Sequence, residues 1–280
     1  MILLAVFGSP VAHSLSPRIH QDFARQCGLE IDYRAIEVGN ATDFARRVRE
    51  LAARGGRGCN VTVPFKQTAW ELAYRASEPA ARARAANTLL FEDDGHCYAD
   101  NTDGAGLVDD LQGPLARRLA GARILLLGAG GAAAGVLGAL QQAGAGEVVI
   151  ANRTARSARD LAERHADLGP VGACSLDDIG TGAPYDLLLN ATSLGHRGEA
   201  PPLAAEWLRP DGLCYDLNYG RAAAPLRRAC ARQGLAYSDG LGMLVAQAAR
   251  SFALWTGRRP DTQPVLDALR IDPQPGSAPA

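Results

Sequence analysis

Lysine occurs once in this chain. Of its 29 lysines and arginines, all but Lys66 are arginine, and Lys66 closes the run Asn60-Val61-Thr62-Val63-Pro64-Phe65-Lys66. A guanidinium stays protonated above roughly pH 12, whereas an ammonium gives up and takes back a proton as its surroundings dictate. Lys66 is therefore the first candidate for proton-transfer chemistry. On composition alone the alternative stays open: an arginine-rich chain can leave one lysine behind that does nothing.

Other polar residues gather around it in sequence. Ser14 and Ser16 flank Leu15 at the mouth of a helix, where hydroxyls and unpaired backbone N–H groups suit a carboxylate. Asn60 and Thr62 alternate and so share one face of an extended segment. Asn87 opens another strand, and Asp103 lies in Asp100-Asn101-Thr102-Asp103-Gly104. Singly, each of these is an ordinary cap or turn residue. Together they are what a polyhydroxylated ring acid requires: hydroxyls for its carboxylate, amides and a carboxylate for its ring hydroxyls, and a lysine to move a proton.

The elements that must position these groups alternate strand and helix. Apolar runs predict strands at 2–7, 33–38, 58–63, 123–127, 148–151, 185–190 and 213–216. Helices are expected at 16–27, with Ser16 as N-cap and Pro17 first in the helix, at 42–54, 65–75, and from about residues 79, 104 and 131. A hairpin turn is expected around Asp93-Asp94-Gly95. Repeated strand-helix-strand units imply an α/β fold with parallel sheets covered by helices. No Pro/Ser linker separates the two halves, so the boundary is set where the second unit begins: residues 1–103, completed by 238–280, and residues 104–237. The Pro/Gly/Ser/Ala-rich stretch 271–280 reads as a frayed tail.

Bulk properties exclude several classes of function. A formal net charge of -1, with 47% hydrophobic and 21% charged residues, provides no general attraction for nucleic acid or anionic membrane. Small neutral or acidic metabolites are the expected partners. The six cysteines are scattered without a C-x-x-C pair, so reduced thiols in a cytoplasmic protein are expected, and no metal site. Apolar Met1–Phe7 has no basic residues before it and reads as a buried strand, not a signal peptide. The uncharged stretch 124–146 is broken by glycines and Gln141-Gln142, which makes a poor membrane span.

That stretch carries a second piece of chemistry. Gly128-Ala129-Gly130-Gly131-Ala132 follows an apolar strand and opens a helix, the setting in which backbone approaches a pyrophosphate on the helix N-terminus. The alternative is a tight structural turn. The next strand ends in Asn152-Arg153-Thr154, with Arg156 close behind. An NAD site usually has an acidic residue there for the ribose 2′-OH; here two guanidiniums and a hydroxyl favour the 2′-phosphate of NADP. Arg156 reads equally well as an ordinary surface arginine.

In order along the chain, Val6-Phe7-Gly8-Ser9-Pro10 with His13-Ser14-Leu15-Ser16-Pro17, then Asn60 to Lys66, Asn87-Thr88-Leu89, Asp100 to Gly104, the glycine turn, Asn152-Arg153-Thr154, Asn190-Ala191-Thr192-Ser193 and Asp239-Gly240-Leu241-Gly242 through Ala249 resemble the successive signatures of shikimate dehydrogenases. The resemblance runs from residue 6 to residue 249. It implies two α/β domains with a cleft between them, an N-terminal substrate domain and a Rossmann-type NADP-binding domain, with C-terminal helices returning to the first. It implies reversible reduction of 3-dehydroshikimate to shikimate by NADPH, on the route to chorismate and the aromatic amino acids, in a monomer or homodimer.

Position by position, the resemblance makes Ser14, Ser16 and Tyr219 ligands of the substrate carboxylate. Thr62, Asn87, Asp103 and Gln247 would bind ring hydroxyls with Asn60 nearby, and Lys66 and Asp103 would be the proton-transfer pair. Gly128, Ala129, Gly130, Gly131, Ala132, Asn152, Arg153, Thr154 and Arg156 would hold the dinucleotide, with Leu217 and Gly240 at its nicotinamide end. Departures exist. Ala133-Ala134 stands where Ser-Arg is frequent, Ser157 where a second arginine is frequent, and Asn218 is a polar substitution beside Leu217. Two alternatives follow: an NAD-using quinate/shikimate dehydrogenase, or a non-catalytic NADP-binding regulator, against which the intact Lys66 and Asp103 speak.

Overall fold

The computed structural model describes residues 1–92, 95–180 and 182–272. Along the chain the elements are β1 (Ile2–Gly8), α1 (Ser16–Cys27), β2 (Ile31–Glu37), α2 (Ala41–Ala53), β3 (Gly58–Val61), α3 (Lys66–Leu72), β4 (Arg75–Ala76), α4 (Glu78–Ala83), β5 (Thr88–Phe91), β6 (Cys97–Asp100) and α5 (Asp103–Gln112). They continue with β7 (Arg123–Leu127), α6 (Gly131–Gln142), β8 (Glu147–Asn152), α7 (Ala155–Glu163), β9 (Val171–Ser175), β10 (Tyr185–Asn190), β11 (Leu208–Asp216), α8 (Ala224–Arg232), β12 (Ala236–Ser238), α9 (Leu241–Thr256) and α10 (Gln263–Ile271). The expected turn at Asp93-Asp94 and the tail beyond Asp272 lie outside the described residues.

Two compact units result. The first comprises Met1–Gly106 and Val245–Ala268; the second comprises Leu107–Leu244 and the chain from Leu269. The divisions fall inside α5, α9 and α10. That is why no linker composition marks them in the sequence.

The first unit is built on a six-stranded sheet ordered β2-β1-β3-β5-β6-β4. It is mixed, not parallel as the strand-helix alternation predicts. β1 pairs in parallel with β2 and β3, but β5 runs antiparallel to both β3 and β6. Only five residues connect β5 to β6, too few for the crossover that a parallel pair requires. The helix expected over 65–75 stops at Leu72, and Arg75–Ala76 pairs with β6 as an edge strand. The core here packs Phe7, Phe44 and Phe65 with Val48, Cys59 and Leu89; the Phe44 and Phe65 rings stack at 5.4 Å.

The second unit carries a sheet ordered β12-β11-β10-β7-β8-β9, every pairing parallel. Its central strands are continuous apolar runs because both faces are covered: Leu125, Leu126 and Leu127 on β7 and Leu188 and Leu189 on β10 are wholly buried. No apolar run in the sequence marks the edge strands β9 and β12. Ala236–Ser238 is only three residues long, and Val171–Ser175 is half-buried with little apolar alternation.

One close approach sets a stability prediction. A Cβ on Gly58 would stand 2.2 Å from the Leu89 carbonyl oxygen and 2.3 Å from Trp255 Nε1, where the indole donates a buried hydrogen bond to that carbonyl at 2.9 Å. Gly58→Ala is expected to cost about 2 kcal/mol, lowering the thermal midpoint by roughly 4–8 °C. Thermal unfolding of the two proteins measures it, and an unchanged midpoint contradicts this packing.

Candidate active site

Strand β3 and the turn after it deliver the lysine. β3 ends at Val61, so Thr62 stands in a turn and not on the strand: its N–H donates to Phe7 O and its carbonyl accepts from Phe65 N–H. Pro64 ends the strand pairing, and Lys66 is the first residue of α3. The Lys66 carbonyl accepts the Ala86 N–H at 2.8 Å, which fixes the lysine backbone beside the approach to Asn87.

The ammonium has a defined partner. Lys66 Nζ donates to Asp103 Oδ2 at 2.5 Å, with the lysine side chain 19% exposed and the aspartate 8%. Asp103 opens α5, where a carboxylate is favoured by the helix dipole. Its other oxygen, Oδ1, accepts from Asn87 Nδ2 at 2.8 Å, and its backbone N–H donates to Asn101 Oδ1 at 3.1 Å. Asn87 Nδ2 also lies 3.0 Å from Gln247 Oε1 on α9. Asp103, Asn87, Gln247 and Lys66, drawn from across the sequence, thus form one connected group in the first unit.

The serines stand at the start of α1, with one correction to the cap. Ser16 does not cap α1: Leu15 precedes the helix in helical conformation and no side chain caps it. Ser14 does part of that work, its Oγ accepting the Ser16 N–H at 3.2 Å. The reason is that Ser16 is drawn into the helix and buried, where its hydroxyl bonds Tyr33. Asn60 is also buried, and its amide meets protein groups on both sides: Oδ1 accepts from Tyr33 OH at 2.7 Å and lies 3.1 Å from His20 Nε2, while Nδ2 donates to Asn87 O, Thr88 Oγ1 and Ser251 Oγ at 3.0–3.2 Å.

Thr88, Thr102 and Ser251 join this group without having been singled out from sequence. Thr102 Oγ1 and N–H engage Asn87, and Thr102 Oγ1 also bonds the Gln247 carbonyl. Each carries a signal in retrospect. Thr102 precedes Asp103, Thr88 follows Asn87, and Ser251 lies one helical turn after Gln247, on the same face of α9.

In the second unit, the glycine turn connects β7 to α6. Gly128 has φ +104°, which a residue with a side chain rarely adopts, and a Cβ there would come within 3.1 Å of the Ala191 carbonyl oxygen. Nothing stands within 4 Å of where a Cβ on Gly130 or Gly131 would lie, and no side chain caps α6 at Gly130. An open glycine face on an uncapped helix N-terminus fits the pyrophosphate of a dinucleotide. At the end of β8, Asn152 Nδ2 donates to Thr154 O at 3.1 Å and shapes the turn. Arg153 is exposed. Arg156, 84% exposed, lies 3.8 Å from Asp160 one turn along α7, the position of a surface arginine.

The turn after β11 is held from the same strand ends. Asp216 Oδ1 accepts from Asn190 Nδ2, Asn218 N–H and Asn218 Nδ2 at 2.8–3.0 Å, and Asn218 Nδ2 also donates to Thr192 O. Burial pushes the Asp216 carboxyl above its ordinary value, with the Asn218 and Asn190 hydrogen bonds opposing. The polar substitution at 218 is thereby explained: its amide ties the 217–219 turn to the Asn190–Thr192 loop. A Cβ on Gly240 would stand 2.4 Å from the Leu217 carbonyl oxygen, so glycine is required for this approach. Tyr219 follows, half-buried.

Comparisons with known proteins agree along the chain. The family profile described as the shikimate dehydrogenase substrate binding domain matches residues 6–89. Those for shikimate/quinate 5-dehydrogenase and the shikimate 5′-dehydrogenase C-terminal domain match residues 111–197 and 240–270. A shikimate dehydrogenase (NADP(+)) of Methylococcus capsulatus is 47% identical over 269 residues, 96% of each chain. The crystal structure of an Ael1 enzyme from Pseudomonas putida superposes with TM-score 0.88 at 42% identity, covering 96% of this chain and 98% of that one. Shikimate 5-dehydrogenase from Thermus thermophilus, solved with NADP(H) and shikimate, gives TM-score 0.81 at 35% identity over 97% and 99% of the two chains.

Proposed function

The chain belongs to the shikimate dehydrogenase family, and from that premise we propose that it catalyses the reversible NADPH-dependent reduction of 3-dehydroshikimate to shikimate, with Lys66 and Asp103 as its proton-transfer pair. The observation that carries the reading is the 2.5 Å contact between the only lysine and a buried carboxylate, inside a group of amides suited to ring hydroxyls. Bound NADPH supplies the hydride that reduces the ring ketone.

The residues of the chain do the rest. Lys66 donates a proton to the ring oxygen as the ketone becomes an alcohol, and takes it back in the reverse direction. Asp103 orients the ammonium and balances its charge. Asn87, Gln247 and Thr62 bind ring hydroxyls and select a polyhydroxylated ring, while Asn60 supports them from beneath. Ser14, Ser16 and Tyr219 hold the ring carboxylate. The backbone from Gly128 to Ala132 receives the pyrophosphate; Asn152, Arg153 and Thr154 face the 2′-phosphate; Leu217 and Gly240 line the nicotinamide end.

The proposal includes a cytoplasmic enzyme acting as monomer or homodimer. Six free cysteines support the location, and among the described residues no helix is long and apolar enough to cross a membrane.

Removing the substrate charge tests the carboxylate end. With the methyl ester of shikimate, kcat/KM is expected to fall about 100-fold, the scale of one charge-assisted hydrogen-bond set, chiefly through KM. Equal efficiency for acid and ester, read from NADP reduction, contradicts a site built for a ring acid.

A further inference from the structure

Behind the group that holds Asp103 lies a residue that the reaction does not use. His20, wholly buried on α1, stacks on Tyr33 with ring centroids 4.4 Å apart and packs among Phe23, Phe252 and Trp255. Its Nε2 lies 3.1 Å from Asn60 Oδ1, and its Nδ1 is buried without a partner. Burial in this aromatic cage pushes its pKa down to about 3, with the Asn60 hydrogen bond opposing, so the imidazole is neutral at physiological pH and carries one N–H.

That one proton has one useful place. Asn60 Nδ2 faces three acceptors, the Asn87 carbonyl and the hydroxyls of Thr88 and Ser251. If the amide were turned over, its carbonyl oxygen would stand against the Asn87 carbonyl at 3.0 Å, two acceptors with no hydrogen between them. The amide is therefore set with Oδ1 toward His20 and Tyr33, and both of them donate. From there one path runs on, with Ser251, 2.7 Å from Thr88 Oγ1 and 3.2 Å from the Gln247 carbonyl, donating to either and leaving the Thr88 proton for Asn87. Asn60 Nδ2 donates to Thr88 Oγ1, and Thr88 donates to Asn87 Oδ1 at 2.9 Å. With Asn87 Oδ1 also accepting the Thr102 N–H, Asn87 Nδ2 is left to face Asp103 Oδ1 and Gln247 Oε1.

We propose that His20 and Tyr33 are positioning residues: together with the Asn87 carbonyl they fix the Asn60 amide, and so the direction of a buried hydrogen-bond chain through Thr88 and Asn87 to Asp103 that holds the carboxylate paired with Lys66. The Ser16 hydroxyl also bonds Tyr33, so the chain connects Ser16 to Asp103. The inference rests on Lys66 and Asp103 being the proton-transfer pair.

The test uses the whole enzyme and two substitutions that each remove a single hydroxyl, Tyr33→Phe and Thr88→Val, with the double variant. Each single variant is expected to lower kcat for shikimate oxidation about tenfold, the scale of a small misplacement of catalytic groups, with KM for NADP within twofold of the parent. Because both substitutions break one chain, the double variant is expected within twofold of the weaker single. Independent packing defects would instead multiply. His20→Phe, which keeps a stacked ring and removes the N–H, provides a third arm with the same tenfold expectation. The parent's own rate with shikimate tests the function, and the ratio of each variant to the parent tests the chain. Single variants within twofold of the parent, or a double variant showing the product of the two losses, overturn the proposal.

Discussion

Lys66→Arg is expected to lower kcat by about 1,000-fold while shikimate still binds. Arginine keeps the positive charge and much of the reach, so the contact with Asp103 is retained and the buried carboxylate is not left alone, a loss that in itself costs several kcal/mol. The property removed is the readiness of an ammonium, unlike a guanidinium, to give up a proton. A positioned general acid contributes about 10²–10⁴-fold, and the expected loss lies within that range. Steady-state kcat measured beside shikimate affinity by calorimetry separates the two roles. A variant that turns over within tenfold of the parent rules out proton transfer by Lys66.

Cofactor choice carries the second large effect. Arg153→Ser is expected to lower kcat/KM for NADP about 100-fold and leave NAD nearly unchanged, because the proposed site sets the exposed Arg153 guanidinium at the end of β8 against the 2′-phosphate. Loss of charge-assisted hydrogen bonds of about 1.5–3 kcal/mol sets that scale. Arg156→Ser is expected to change either cofactor less than threefold, since Arg156 lies against Asp160 on the outer face of α7. Kinetics with both cofactors decide it. Equal losses at the two positions would mean that the phosphate is held by the general basic surface of α7.

The sequence displays its chemistry more openly than its sheets. Strands 123–127 and 185–190 are read to the residue because a parallel strand buried on both faces is an uninterrupted apolar run. β9 and β12 are not, since edge strands are short and half-buried, and their pairing is decided by neighbours far away in sequence. The mixed character of the first sheet hides for a similar reason: alternation of strand and helix suggests parallel pairing, and only the short β5–β6 connection argues otherwise.

Among the site residues, Lys66, Asp103 and Asn87 are legible because their types are chemically pointed and their contacts complete the argument. Asn60 is legible as a polar residue in a strand but not as one whose amide is engaged on both sides. Its partners come from residues 20, 33, 87, 88 and 251, a convergence that no local pattern announces. His20 has the least signal of all. A histidine on the buried face of an amphipathic helix reads as core, and only the donor and acceptor directions around Asn60 show what its single N–H does.

Initial rates with shikimate and with quinate, each with NADP and with NAD, decide whether the chain is an NADP-dependent shikimate dehydrogenase. The highest kcat/KM is expected for shikimate with NADP. A higher value for quinate with NAD, or no substrate-dependent change in cofactor absorbance in any of the four combinations, would contradict it.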